Sequence, residues 1–151
     1  MTNLKTFLLA TSMIFVAVGQ ATAQGTVVID FDSDDGDQIV REVSVTGQGD
    51  VFALQLFASD LPEIYGWSVF LEYAPDHLSY VSGSFQHSNF IPRLIPLIDE
   101  QETSVEVGGA DFSKNLASGD AMLGTLKFEV SEGFEGETQI SIVTLKYSTL
   151  E

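Results

Sequence analysis

The stretch that most limits how this chain can fold is Gly66–Phe85, GWSVFLEYAPDHLSYVSGSF. Trp67, Val69, Leu71 and Tyr73 alternate with Gly66, Ser68, Phe70 and Glu72. A period of two is the signature of a strand with two distinct faces. Ala74-Pro75-Asp76-His77 interrupts it, and Pro75 pre-sets the backbone angle for the second position of a type I turn. Leu78–Phe85 resumes the alternation, so the whole reads as strand, turn, strand: a hairpin. The same reading extends along the chain. Thr26–Phe31, Ile39–Thr46, Asp50–Ala58, Ser104–Ala110, Ala121–Val130 and Thr138–Tyr147 are further short alternating runs. No segment reads as a helix of useful length. About eight strands with regular turns in one domain predict an all-β fold, a two-sheet β-sandwich with jelly-roll topology. The apolar phase predicts a core of Phe52, Leu54, Leu56, Trp67, Val69, Leu71, Tyr73, Leu78, Tyr80, Val105, Val107, Leu126, Phe128, Val130, Ile140 and Ile142. Trp67, the single tryptophan, falls in mid-strand on that phase and is expected inside rather than as a sugar platform.

Residues 1–23 carry one charge, Lys5, followed by the apolar run Phe7–Val18 and the small residues Ala21-Thr22-Ala23. These are the charged, apolar and cleavage regions of a secretory signal peptide. The run is too short to span a bilayer, which takes about 20 residues. The expectation is a leader over 1–23 and one domain over 24–151, secreted or periplasmic, with no membrane insertion after cleavage. The chain has no cysteine, so packing must stabilise it without disulfides. Its net charge of −16 becomes −17 once Lys5 is removed. Nucleic acid, which needs a basic footprint, is excluded as a partner.

Five carboxylates, Asp30, Asp32, Asp34, Asp35 and Asp37, fall within eight residues. Hard cations such as calcium want several oxygens from a turn-forming loop. Counting from Asp30, Gly36 is seventh and Glu42 thirteenth, one residue out of step with an EF-hand, and a strand rather than a helix precedes them. Two readings stand: a non-EF calcium loop, and a solvated acidic turn. No cofactor is required in either. Gln86–Gln101 is strongly apolar, but Pro96 would clash with the carbonyl of Pro92 in a helix. An irregular crossover or edge strand fits better, part closing the sandwich and part forming an exposed patch.

Catalytic groups are sparse. His77 and His87 lie in a turn and a loop, a tight turn splays Asp76, His77 and Ser79, and nothing sets Glu63 and Glu72 across a cleft. No nucleophilic cysteine, phosphate loop or zinc spacing exists, so the chain reads as a non-enzyme.

Gly66–Phe85 resembles the core of a cohesin domain, where a small-residue-led strand ends in an aromatic, turns at Pro and Asp, and returns through a Leu-aromatic-Val run. Ser118–Gly133, SGDAMLGTLKFEVSEG, is similar to the cohesin segment in which a Gly-Asp loop enters a strand of apolar, Thr, apolar, Phe and Val. The two are in the family's order, and the resemblance covers roughly residues 43–147. It implies a non-catalytic module that binds a protein, dockerin-like or a surface protein, through a sheet face. The outward residues implied are Gly66, Ser68, Phe70 and Glu72, with Glu106 and then Thr125, Lys127 and Glu129 beside them. The family often carries Asn and Asp where Gly66 and Ser68 stand here. Two other classes stay open: a carbohydrate-binding module taking polysaccharide on a row of exposed aromatics, and a β-sandwich subunit of an extracellular filament adding Gly25–Phe31 to a neighbour's sheet edge.

Overall fold

The computed structural model describes residues 6–12, 25–32 and 34–151. Eleven strands follow in chain order: β1 (Thr6–Ser12), β2 (Thr26–Asp30), β3 (Glu42–Val45), β4 (Val51–Ile64), β5 (Gly66–Tyr73), β6 (Leu78–Tyr80), β7 (Gln86–His87), β8 (Ile95–Glu100), β9 (Ser104–Ala110), β10 (Ala117–Val130) and β11 (Glu137–Ser148). There is no helix among the described residues. Two sheets face each other, one ordered β3-β1-β11-β5-β9-β8 and the other β2-β4-β10-β6, with β7 also on β10. All pairings are antiparallel except β1 with β11. The expected all-β sandwich is therefore the fold. Strand β1 belongs to the segment read as a leader; the cleavage region Ala21–Ala23 lies outside the described residues.

Alternation set the strands β5 and β9 at their predicted bounds. It also set the core, in which fifteen of the sixteen expected residues are buried and Tyr80 packs half-buried against the rest. Trp67 is 3% exposed and meets Phe85 edge-on at 6.0 Å. Phe128 gathers Phe52, Tyr73 and Tyr80 at centroid distances of 6.1, 5.1 and 5.9 Å. Burying such rings supplies much of the stability of a domain without disulfides.

The hairpin expected at Gly66–Phe85 is not one. The turn forms, with the amides of His77 and Leu78 donating to the Ala74 carbonyl at 3.0 and 2.9 Å. But β5 pairs with β9 and β11, whereas β6 pairs with β10 in the opposite sheet. The turn is an arch that carries the chain across the sandwich, so both strands present apolar faces to the same core. Gln86–Gln101 divides as its composition suggested. Ile91 and Leu94 are buried, while Ile95, Leu97 and Ile98 stand exposed on the edge strand β8.

Candidate docking face

The outward surface of β11-β5-β9-β8 is set by cross-strand register. One row runs Lys146, Ser68, Gly108, Leu97; the next runs Thr144, Phe70, Glu106, Asp99. Ser148, Gly66, Ala110 and Ile95 form the row above, and Ser141, Glu72 and Ser104 the row below. Thus Gly66, Ser68, Phe70, Glu72 and Glu106 come together as anticipated. Thr125, Lys127 and Glu129 do not join them. They lie on β10, on the outward phase of the other sheet. Alternation reported which way they point but not the sheet to which they belong.

Gly66 is on the outward phase yet buried, because Ala110 closes over it; a Cβ there would meet the Ala110 Cβ at 2.8 Å and the Gly109 carbonyl at 2.9 Å. A Cβ at Gly108 would overlap the Trp67 carbonyl oxygen. These two positions let β9 approach β5 closely. Beside them lies a groove of about 420 Å³, lined by Gly109 and Ala110 of β9, by Leu97 and Asp99 on one side and by Lys146 and Ser148 on the other. Glu106 Oε1 accepts from Ser68 Oγ at 2.6 Å and from Lys146 Nζ at 3.2 Å, which fixes the polar side of the groove. Leu97 is 66% exposed and Ile95 52%. A second hollow, about 660 Å³, opens at the Glu72 end between Thr103, His77 and Ser141. Phe70, half-buried, stands between the two in register. Leu97 and Ile95 are contributors that strand alternation missed. An edge strand exposed on both faces has no alternating burial, and the apolar patch noted in Gln86–Gln101 was its trace.

His77 does not face Asp76 or Ser79 in a catalytic array. Its ring stacks on Phe134 at 4.0 Å and its Nδ1 lies 2.8 Å from Thr138 Oγ1.

The aspartate loop behaves differently from a free acidic turn. Asp30 is fully buried, accepting from the amides of Asp32 at 2.8 Å and Gln38 at 2.5 Å. Arg41 donates to Asp37 through both terminal nitrogens, at 2.7 and 2.8 Å, and stands 3.6 Å from Asp30. The Arg41 guanidinium holds the Asp37 carboxyl down to about 2. Asp32, Asp34 and Asp35 form no ion pair among the described residues. No three carboxylate or histidine side chains among the described residues are grouped as a metal cage.

No family model and no curated protein sequence matches the chain. Solved structures do. The chain is similar to the sixth cohesin of scaffoldin B from Acetivibrio cellulolyticus, solved in complex with a mutant Cel5 dockerin, at TM-score 0.56 and 16% identity over 67% of this chain and 77% of that one. It is similar to the type I cohesin–dockerin complex Coh-OlpA-Doc918 of Clostridium thermocellum, at TM-score 0.54 and 10% identity over 80% and 99%. A type III cohesin module of the cell-surface anchoring scaffoldin ScaE of Ruminococcus flavefaciens aligns at TM-score 0.52 and 10% identity over 74% and 60%. The fold is cohesin-like.

Proposed function

We propose that this cohesin-like sandwich is a secreted, non-catalytic binding module, and that it docks a protein partner on the outward face of β11-β5-β9-β8. The observation that carries the reading is the groove lined by exposed Leu97 and Ile98 on one side and the Lys146–Glu106–Ser68 network on the other. Protein interfaces combine such an apolar anchor site with a polar rim. The resemblance to cohesins solved with dockerins supports a protein rather than a sugar as the ligand. Trp67, buried in the core, offers no stacking platform to a polysaccharide. The partner expected is one that inserts an apolar side chain above Gly108 and meets the acidic rim of Glu72 and Asp99 with cationic or amide groups.

Capture from a secreted proteome, compared between variants, tests this. Leu97→Asp and Phe70→Ala should each leave the melting temperature within a few degrees of the parent and weaken capture at least tenfold. Lys127→Glu, on the opposite sheet, should capture as the parent does. A partner lost with Lys127→Glu and kept by the two face variants would move the docking surface to the other sheet.

A further inference from the structure

Strand β1 lies inside a sheet, although the sequence reads residues 1–23 as a leader that is cut off. It pairs in parallel with β11 from Phe7↔Glu137 to Ser12↔Ile142, and antiparallel with β3 from Thr6↔Val45 to Leu9↔Glu42. For Glu137, Thr138 and Gln139 it is the one strand neighbour among the described residues, since β5 joins β11 only from Ile140 onward. For β3 it is likewise the one strand neighbour among the described residues. Cleavage therefore takes a strand out of the sheet and strips the ladder from both sides of the gap. The place of β3 does not depend on β1 alone. Before it, the Phe31 amide donates to the Val40 carbonyl at 2.8 Å, and Arg41 Nη1 donates to the Ile29 carbonyl at 3.0 Å. After it, the Thr46 amide donates to Asp50 Oδ2 at 2.7 Å, and the Val130 amide of the other sheet donates to the Asp50 carbonyl at 2.9 Å. With both ends of β3 pinned, the gap stays one strand wide, two spacings of about 4.8 Å each.

We propose that, once the leader is removed, this gap binds an extended peptide segment of a protein partner by strand addition, parallel to β11. The proposal rests on the leader reading and is independent of docking on the sheet face. Edges that present unpaired N–H and C=O groups take up a further strand; main-chain hydrogen bonds give affinity and alternate side chains give specificity. The register states the chemistry of that strand. Its positions equivalent to Thr6, Leu8, Ala10 and Ser12 come level with Val45, Val43, Thr138, Ile140 and Ile142, all buried or half-buried. Those positions call for small or apolar residues without charge. The positions equivalent to Phe7 and Leu9 come level with Glu42, Ser44, Glu137 and Gln139, all exposed. Two carboxylates at that end favour a cation on the N-terminal side of the partner segment, where the leader itself carries Lys5.

The test uses the chain recovered after secretion, its N-terminus read by mass spectrometry, with the synthetic peptide Lys5–Ser12 as the probe strand. The peptide should bind one to one and slow amide hydrogen exchange at least tenfold in Glu137–Ile142 and Glu42–Val45, leaving β8 as it was. The same peptide carrying Leu8→Asp and Ala10→Asp should bind at least tenfold more weakly. In the protein, Glu42→Lys with Glu137→Lys, both exposed, should keep the fold and weaken the parent peptide at least threefold, while strengthening a peptide with Lys5→Glu. Leu97→Asp, on the sheet face, should bind the peptide as the parent does, so failure of face docking leaves this site standing. If the secreted chain is unfolded alone, folding on addition of the peptide supports the gap, and a chain that stays unfolded overturns it. Three further results would each overturn the proposal: a leader still attached after secretion, a dimer in light scattering with these amides already protected, or a folded chain whose exchange the peptide leaves unchanged.

Discussion

Two places on the outward faces of this sandwich treat side chains in opposite ways. On the β2-β4-β10-β6 sheet, two polar residues that point away from the core, Asp30 and Gln55, are sealed under a loop held by Arg41, while Val51, Lys127 and Glu129 stay exposed. On the β11-β5-β9-β8 sheet, apolar side chains at Leu97 and Ile95 are exposed. A buried carboxylate is tolerated because two amides and a guanidinium satisfy it. The exposed leucine has no such cover among the described residues. The spot at Asp30 is finished by its own polypeptide, and the proposed docking face is open to solvent at Leu97 and Ile95.

That contrast is broken most forcefully at Asp30. Asp30→Ala should strip the acceptor from two amides and leave Arg41 without its inner partner. A loss on the order of 3 kcal/mol is expected in urea unfolding, since each donor left unsatisfied on burial costs about 1–3 kcal/mol. Recovery of full stability in that variant would mean the loop is not what seals this face.

On the open face the corresponding weak point is backbone, not charge. Gly108→Ala should push β9 from β5 and cost about 1–3 kcal/mol, as overpacking does. It should also close the groove, so capture falls further than stability alone predicts. An unchanged melting temperature would show that the strands can separate at no cost.

The smallest effect sharpens the covered side by pH. Asp37 is held at about 2 against an ordinary 3.8, chiefly by its hydrogen bonds to Arg41. Between about pH 4 and pH 2 the unfolded chain takes up this proton before the folded chain does. Stability from the pair is therefore full above pH 4 and is lost as pH falls through that window. Asp37 lies at the surface with its side chain partly open to water, so the loss is a fraction of a kcal/mol. Asp37→Asn should flatten that part of the pH–stability curve. An identical curve would assign the acid sensitivity to other carboxylates.

Much of this architecture was legible in the sequence, and the rest was not for definable reasons. Alternation reports phase, so the sequence alone places Phe52, Leu54 and Leu56 inward and Ser68, Phe70 and Glu106 outward. Phase carries no sheet label, so Lys127 and Glu129 were grouped with a face they do not share. A Pro-Asp turn is local and forms alike whether its flanking strands pair or part, which is why Ala74–His77 read as a hairpin and is an arch. Asp30 looked free because its burial depends on Gln38 and Arg41 folding back eight and eleven positions later. Ile91 and Leu94 fall at a helical spacing that Pro96 forbids, so their period pointed to no regular element, and they sit buried in irregular chain.

The close approach of β9 to β5 also sorts the positions of the proposed docking face. Gly66 and Gly108 admit no side chain, so they are closed to variation. Leu97, Asp99 and Lys146 line the groove, and Phe70 stands in the neighbouring row, at positions where exchange perturbs the core little. The face is thus already sorted into invariant and replaceable positions. A library confined to those four positions would vary the proposed docking face while every member keeps the same glycine-spaced backbone beneath it.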